Sequence, residues 1–321
     1  MGTVPATNAL NRWIMVSSVS PSVGALSVHD QVARGLLVCP ATKRRLTWSS
    51  DGSQLVTDGS NVAYRVLQTG IPVLVSDEAG TAAYASESEL MNADYATPHN
   101  SITSRVAAML RRDYRTAASR KAFNDIFDLL PAGALAISPG GGPIRFHLRI
   151  VNVNIGPFRN VDVVGDAHHL PYADNSVDAV HSEAVFEHLA EPRAAAMELH
   201  RVMKPGARAY VCTPFLQQYH GYPHHYQNFT LQGHRYLFES IGFEIIDAGH
   251  AVGPVVALTT LIAAALRNFL PRPFNRLAWA VWTAIALVLR PLDRMLERDT
   301  AAHVLSSTTY VVIQKSTCPA T

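Results

Sequence analysis

Short apolar runs of strand length alternate with polar turns and a helical segment in the middle of the chain. Residues 161–164, 177–180 and 209–212 are apolar at nearly every position and too short for helices. Such runs predict strands buried on both faces, as in a parallel sheet. A helix entered through Pro192 and stopped at residues 204–206 precedes the last run. The alternation predicts an α/β fold with its ligand site at the carboxyl ends of the strands, near Asp166 and residues 182–188.

Apolar spacing predicts further elements on both sides of this centre. Residues 36–79 contain short β-prone runs separated by Asp-Gly and Gly-Ser turns, which is typical of a small β module. Residues 100–130 carry apolar positions at helical spacing. Residues 132–137 and 150–155 are candidate first and second strands of the sheet, and residues 307–314 are a candidate last strand.

Length and composition favour one large domain with appendages. The chain has 321 residues and a formal net charge of +2, and its arginines are scattered, so nucleic acid is not an expected partner. The organisation we predict is a flexible tail over residues 1–30, a β module over 31–80, a helical linker or lid over 81–130, and a domain over 131–316 with a helical insertion at 254–299.

Three features of the sequence favour a cytoplasmic protein. Cys39, Cys212 and Cys318 are far apart and odd in number, which suits a reducing compartment. The first thirty residues contain no apolar core of the length of a secretory signal. No apolar run reaches the roughly 18 to 20 residues that a spanning helix needs.

Spaced polar motifs surround the three central strands. They are Gly165-Asp166-Ala167, Leu170-Pro171-Tyr172, Asp174, Ser176, Asp178, Glu187-His188, Glu198, Arg201-Val202 and Lys204-Pro205-Gly206. Together they resemble the class I S-adenosylmethionine-dependent methyltransferases, over residues 131–250 and again near Tyr310. The resemblance implies a Rossmann-like seven-stranded sheet whose last strand inserts antiparallel. It also implies methyl transfer from S-adenosylmethionine to a small-molecule, sugar or lipid-linked acceptor.

A glycine-rich turn follows the candidate first strand. Glycines allow the backbone to approach a ligand closely. In the resembled family this loop would cradle the amino-acid end and ribose of the cofactor, and Gly140 and Gly142 match its last two glycines. Ser138 stands where the family has its first glycine, and Ala136 replaces an acidic residue.

The resemblance implies further cofactor contacts after the next three strands. Asn154 stands where the family has an acidic residue for the ribose hydroxyls, and an amide can also donate to or accept from a hydroxyl. Asp166 and the backbone amide of Ala167 would contact adenine, and Ser182 lies nearest the expected methionine moiety. Because Ala136, Ser138 and Asn154 depart from the family pattern, the rival hypothesis is a methyltransferase-like scaffold that no longer binds the cofactor.

Histidines are the candidate catalytic residues. If the acceptor is a hydroxyl, one of His188, His220, His224 or His225 would take its proton, since an imidazole pKa near 6.5 suits a general base. A third hypothesis is a metal-dependent enzyme using His220, His224 and His225. This loop carries no carboxylate beside its histidines, so the sequence predicts no metal site.

Aromatic faces and helix-surface pairs complete the candidate site. Tyr172 or Phe215 would favour the positively charged sulfonium of the cofactor. Glu198 and Arg201, three residues apart, would form an ordinary pair on a helix surface.

Two strongly apolar stretches interrupt the pattern before the last strand. Residues 255–266 and 277–289 are too short to span a bilayer and are flanked by arginine and tryptophan. They would suit a buried helical pair, a homodimer face, or peripheral membrane contact through residues 255–298. The last setting motivates the hypothesis of a hydrophobic or lipid-linked acceptor.

The β module resembles the zinc ribbon that precedes some methyltransferases of this branch, through Leu37-Val38-Cys39-Pro40 and the closing Gly70-Ile71-Pro72. A tetrahedral structural zinc needs four ligands. Here Thr42 stands where a second cysteine would follow Cys39, so we expect a ribbon-like scaffold without zinc.

Overall fold

The structure, a computed structural model, describes residues 24–75, 114–142, 144–220 and 224–317. The strands are β1 (Leu46–Trp48), β2 (Gln54–Thr57), β3 (Ala63–Arg65), β4 (Val73–Leu74), β5 (Ala136–Pro139), β6 (Ile150–Asn154), β7 (Val163–Gly165), β8 (Val177–Glu183), β9 (Met203–Pro214), β10 (Phe243–Val252) and β11 (Thr308–Lys315). The predicted tail up to residue 23 and the predicted linker over 81–113 lie outside the described residues.

Helices connect these strands. They are α1 (Val28–Ala33), α2 (Ala117–Phe127), α3 (Pro192–Val202), α4 (Leu231–Glu239), α5 (Pro254–Phe269), α6 (Phe274–Leu289) and α7 (Asp293–Leu296). Short 3₁₀ turns occupy Phe186–His188, Arg290–Leu292 and Thr300–Leu305. Thr116 and Thr230 cap α2 and α4 by accepting backbone N–H bonds, as N-cap residues do.

The main sheet has eight strands in the order β10-β11-β9-β8-β5-β6-β7-β4. Strand β11 lies antiparallel between β10 and β9, and the other neighbours in the sheet pair in parallel. Seven of the strands form the predicted Rossmann-like methyltransferase sheet with its antiparallel last strand, so the predicted fold class is confirmed. The eighth strand, β4, comes from the β module and extends the sheet edge through the pairing of Val73 with Val164.

The β module shares a core with the main domain. Strands β1, β2 and β3 form a small antiparallel sheet, and Leu37, Leu46 and Leu55 are fully buried in one cluster with residues of the main sheet. Lys43 bonds to the carboxylate of Glu198 on α3 at 3.4 Å. The module is therefore held to the main domain by packing and by polar contacts.

The thiol of Cys39 is held by neighbours within the β module. Its Sγ lies 3.1 Å from the Tyr64 hydroxyl and accepts from the Thr42 backbone N–H at 3.4 Å. Burial alone would raise the pKa of Cys39, but the hydrogen bonds from Thr42 and Tyr64 lower it to about 7.

One sequence-based expectation is wrong, and a second is confirmed but incomplete. Tyr172 is fully buried beside Leu37, with its hydroxyl directed at Gln31, so its ring is not available to a cofactor. Arg201 forms the expected pair with Glu198, at 2.7 Å, but it also donates to the backbone carbonyls of Leu170 and Tyr172. The residue ties α3 to the loop after β7, which short-range spacing cannot reveal.

The insertion after β10 is a helical hairpin. Its two helices α5 and α6 contain 16 residues each, so each is about 24 Å long. At the base, Asp293 accepts from the backbone N–H groups of Val255 and Val256, at 2.8 and 2.9 Å, and so caps α5. Between the helices, Trp282 Nε1 donates to the Thr259 carbonyl at 2.8 Å.

Burial decreases along the hairpin from its base to its tip. Val256, Ala257 and Thr259 near the base are buried, whereas every residue from 267 to 274 is exposed. Among the described residues, no helix is both long enough and apolar enough to cross a membrane.

Candidate functional site

The carboxyl ends of β5, β6, β7 and β8 lie at one edge of the sheet because these strands run in parallel. Every predicted cofactor residue belongs to one of these ends or to the loop that follows it. The edge extends through β9 to the start of the insertion, since Pro214 pairs with Thr308 and Thr308 pairs with Val252. The hairpin and the histidine loop therefore begin at the edge that carries the candidate cofactor site.

The glycine-rich turn after β5 is shaped by close packing. Gly140 has a φ of +75°, and a Cβ there would lie 2.3 Å from a methyl of Val185, so only glycine fits. Gly142 faces open space. The Ser138 hydroxyl is turned into the core, 3.1 Å from Nδ1 of His181, and is 2% exposed. Ser138 can therefore offer a ligand only its backbone.

Asn154 joins the ends of β5 and β6. Its Nδ2 donates to the Gly141 carbonyl at 3.0 Å, which fixes the side chain at the glycine turn and leaves its oxygen as an acceptor. The amide thus has a structural role at the position where the resemblance implies a ribose contact. Its free acceptor suits a hydroxyl donor.

Asp166 stands at the end of β7 with its carboxylate 20% exposed. It accepts from the backbone N–H of His168 at 2.9 Å and lies 2.8 Å from Nδ1 of the same residue. Partial burial would raise the pKa of Asp166, but the bonds from His168 lower it. In return, Asp166 raises the pKa of His168. An ionised acceptor carboxylate at this edge fits the exocyclic amine of adenine, with the half-buried Ala167 beside it.

A buried polar chain behind β8 has no counterpart in the sequence-based predictions. Arg115 pairs with Glu183 at 2.9 Å, and Glu183 lies 3.4 Å from Nε2 of His181, whose other ring nitrogen faces Ser138. Burial lowers the pKa of His181, so its neutral form is favoured. Ser182, next in the strand, is 1% exposed, and its hydroxyl has no hydrogen-bond partner in the described part of the chain.

Two of the predicted catalytic histidines, His188 and His220, face one buried carboxylate. Nε2 of His188 lies 3.6 Å from Oε1 of Glu187, and Nε2 of His220 lies 3.7 Å from the same oxygen. The rings of His220 and His225 have centroids 4.3 Å apart. Glu187 raises the pKa of His220 above its ordinary value. Histidines from two separate segments therefore lie around a carboxylate that precedes His220 by 33 residues in the chain.

His224 and His225 have supporting positions in this cluster. The carbonyl of His224 accepts from Nδ1 of His188 at 2.5 Å. His225 accepts the backbone N–H of His220 on Nδ1 at 3.2 Å and directs Nε2 to the Asn228 amide oxygen at 2.7 Å. Both ring nitrogens of His225 are thus engaged within the loop.

The strand order and the polar edge define a Rossmann-like methyltransferase domain, and the comparisons agree. Residues 149–211 match a family model described as a methyltransferase domain. An uncharacterised 37.1 kDa protein in a transposon of Streptomyces fradiae is 28% identical over 168 residues, which are 48% of this chain and 48% of that protein. A UPF0434 protein of Marinomonas is 50% identical over 46 residues, 14% of this chain and 69% of that protein.

Among solved structures, the complex of the Haloferax volcanii Trm112 methyltransferase activator with a putative methyltransferase is 17% identical. The match covers 68% of this chain and 96% of that one, with a TM-score of 0.42. The chain therefore contains a methyltransferase-domain segment over residues 149–211 and a segment of the UPF0434 family. It spans about half the length of its Streptomyces relative.

Proposed function

We propose that this protein transfers a methyl group from S-adenosylmethionine to a hydrophobic, lipid-linked acceptor at a membrane surface. The observation that carries the proposal is the position of the hairpin. The insertion leaves the sheet after Val252 and returns at Thr308, which pairs with Pro214 at the start of the histidine loop. A surface that contacts lipid through the hairpin would therefore hold this edge of the sheet close to the bilayer.

The residues at the edge fit the cofactor on two sides. Asp166 and the backbone of Ala167 would hold adenine, and the oxygen of Asn154 together with the open space at Gly142 would take the ribose and amino-acid end. Bound there, S-adenosylmethionine would supply an electrophilic methyl group. The protein would contribute mainly orientation of donor and acceptor, worth up to roughly 7 to 11 kcal/mol in favourable systems.

The tip of the hairpin has the chemistry of a membrane-binding surface. Phe269 and Phe274 are 85% and 66% exposed, and Arg267, Arg272 and Arg276 are exposed beside them. No aspartate or glutamate occurs between Asp247 and Asp293 in the sequence. Apolar residues that enter the interface and arginines that attract anionic lipids act together in such surfaces, with about 1 kcal/mol per basic residue near the surface.

Cofactor binding is tested by calorimetric titration of the folded protein with S-adenosylhomocysteine. We expect saturable binding that Asp166→Asn weakens, while Asp125→Asn, an exposed aspartate on α2, leaves it unchanged. If the wild-type protein shows no saturable binding at millimolar ligand, the enzyme is excluded and the scaffold hypothesis stands. The contact of Val185 with Gly140, which fills space beside the glycine turn, is the observation that favours that alternative.

Membrane docking is tested by vesicle flotation. We expect binding to vesicles that contain phosphatidylglycerol and weaker binding to phosphatidylcholine alone. The double variant Phe269→Ser/Phe274→Ser should bind neither kind of vesicle. The triple variant Arg267→Gln/Arg272→Gln/Arg276→Gln should bind both kinds equally, without a preference for anionic lipid. Leu129→Ser serves as the matched control, because Leu129 is 78% exposed outside the hairpin. Equal flotation of the wild type and the Phe variant would contradict the docking role.

The acceptor class is tested by incubating the protein with a total lipid extract and S-adenosylmethionine labelled in its methyl group. Label in the organic phase, absent from the Asp166→Asn reaction, is the expected result. Label that remains wholly in aqueous small molecules would show that the acceptor is not lipid-linked.

A further inference from the structure

Glu187 is a buried carboxylate without a hydrogen-bond partner for its side chain. The residue is 0% exposed, and neither carboxylate oxygen makes a hydrogen bond within the described part of the chain. An isolated carboxylate in such a place costs several kcal/mol unless a cation or a donor compensates it. Its Oε1 faces Nε2 of His188 and Nε2 of His220 at 3.6 and 3.7 Å, both beyond hydrogen-bond distance.

Both imidazoles direct Nε2 at the carboxylate and Nδ1 at a backbone carbonyl. Nδ1 of His188 lies 2.5 Å from the carbonyl oxygen of His224, and Nδ1 of His220 lies 3.1 Å from that of Gln218. A carbonyl can only accept, so in each neutral ring Nδ1 carries the proton and Nε2 presents its lone pair. This pattern, in which the second ring nitrogen donates to a backbone carbonyl, is usual for histidines that bind metal.

The spacing of the three groups suits a metal ion. One ligand atom from each of Glu187, His188 and His220 lies within 4.8 Å of the others. Bonds of about 2.0 to 2.2 Å to a tetrahedral zinc place neighbouring ligand atoms roughly 3.4 Å apart. The observed 3.6 and 3.7 Å are close to this value, so small side-chain movements would complete the geometry.

Hydrogen bonds join the two segments that carry the candidate ligands. The backbone N–H of Tyr226 donates to the Glu187 carbonyl at 2.8 Å. The Gln227 amide donates to the carbonyls of Phe186 and Leu189, at 3.3 and 3.2 Å. One backbone N–H and one side-chain amide thus fasten residues 226–227 of the histidine loop to the turn Phe186–His188 and to Leu189.

We infer that Glu187, His188 and His220 form a binding site for a divalent transition-metal ion, with zinc as the best fit to two imidazoles and one carboxylate. Three protein ligands leave a coordination position open, as in catalytic zinc sites. An oxygen of the acceptor, as hydroxyl, carboxylate or phosphate, would fill that position. This last step rests on the proposed methyl transfer, whereas the metal site itself does not.

The site is tested on tag-free protein that has been dialysed against a chelator and then titrated with Zn²⁺. We expect one ion per chain by elemental analysis after gel filtration. Co²⁺ in place of zinc should give the visible absorption bands of a low-symmetry site. His220→Ala should weaken binding by more than the about 10- to 100-fold caused by loss of an outer-sphere partner. Glu187→Gln should do the same.

A matched control is His303→Ala. His303 is also exposed and also has Nδ1 near a backbone carbonyl, that of Thr300 at 2.6 Å, but it lies outside the cluster. This variant should bind Zn²⁺ as the wild type does. Since His220 is part of a loop at the surface, its alanine variant should keep the melting temperature of the metal-free wild type, which separates metal loss from misfolding.

Two outcomes would overturn the inference: folded wild-type protein that retains no stoichiometric metal, or equal affinity in the wild type and His220→Ala. Both measurements are made without cofactor. Titration of His220→Ala with S-adenosylhomocysteine is expected to match the wild type, so failure of the metal site and failure of the proposed methyltransferase activity give different results.

Discussion

Two apolar appendages are attached to the methyltransferase sheet. The apolar side chains of one are buried, and many of those of the other are exposed. The β module joins the edge at β4, and its Leu37, Leu46 and Leu55 are fully buried in the core of the main domain. The hairpin of α5 and α6 follows the edge strand β10, and Phe269 and Leu277 are 85% and 68% exposed. Apolar content alone therefore does not decide whether a segment belongs to the core.

The two appendages differ in how much of their apolar surface packs against the main domain. The module has strands of only two to four residues, too small for a core of its own, so it completes its packing on the main sheet. The hairpin packs its helices against each other and against the domain only near their base. In the proposed function, the apolar surface that the described residues leave exposed on the hairpin is the docking surface, whereas the module is part of the fold.

The largest effect that separates the two regions is expected for Leu37→Ala. Removing a fully buried leucine should lower the free energy of unfolding by about 2 to 5 kcal/mol, because it leaves a cavity between the module and the main sheet. Urea unfolding followed by circular dichroism measures it. Leu129→Ala, at an exposed position, is the control. A loss below 1 kcal/mol, within the range of ordinary surface substitutions, would mean that the module packs only loosely.

A smaller decrease in the free energy of unfolding is expected for Arg201→Gln. The guanidinium donates to the carbonyls of Leu170 and Tyr172 as well as to Glu198, and the variant cannot replace all of these bonds. The expected cost is about 1 to 3 kcal/mol, read from the same urea transitions. Arg193→Gln is matched to it, since within the described ranges Arg193 makes exposed hydrogen bonds to Ser240 alone. Equal costs for the two variants would show that the buried carbonyl bonds contribute nothing.

Local patterns in the sequence predicted most of the sheet. Consecutive apolar residues located β7, β8 and β9, and the methyltransferase motifs supplied the antiparallel insertion of β11, since strand order depends on pairings that no single segment encodes. The boundary of β9 was missed. The strand starts at Met203 and contains Lys204, Pro205 and Gly206, with an irregular register against β8 that tolerates them.

The chemistry of the site was less predictable, because its partners are distant in sequence. Ser138 has the spacing of a cofactor residue, yet its hydroxyl faces His181, which is 43 residues away. The histidine loop has no carboxylate of its own, and Glu187 supplies one from the turn after β8. Tertiary contacts decide which of these groups is satisfied internally and which remains available to a ligand.

The base of the hairpin provides a third test of how the hairpin is attached to the domain. Asp293→Ala removes the acceptor for the first backbone N–H groups of α5, and loss of such a cap costs about 0.5 to 2 kcal/mol. Hydrogen exchange should quicken at Val255 and Val256 while protection of the main sheet is retained, because the hairpin is attached to the domain mainly at this end. Asp125→Ala, an exposed aspartate on α2, is the control. Uniform loss of protection through the sheet would show that the hairpin is part of the core.

The smallest change in the free energy of unfolding is expected for Leu277→Ser. This variant contrasts most with Leu37→Ala, for which the largest change is expected. Because this side chain is 68% exposed near the tip, the free energy of unfolding should change by no more than about 0.5 kcal/mol. Flotation with phosphatidylglycerol vesicles should nevertheless weaken, since apolar area that enters the bilayer is lost. A destabilisation as large as that of Leu37→Ala would mean that the tip is covered in solution. If it also varied with protein concentration, the cover would be a second copy of the chain rather than lipid.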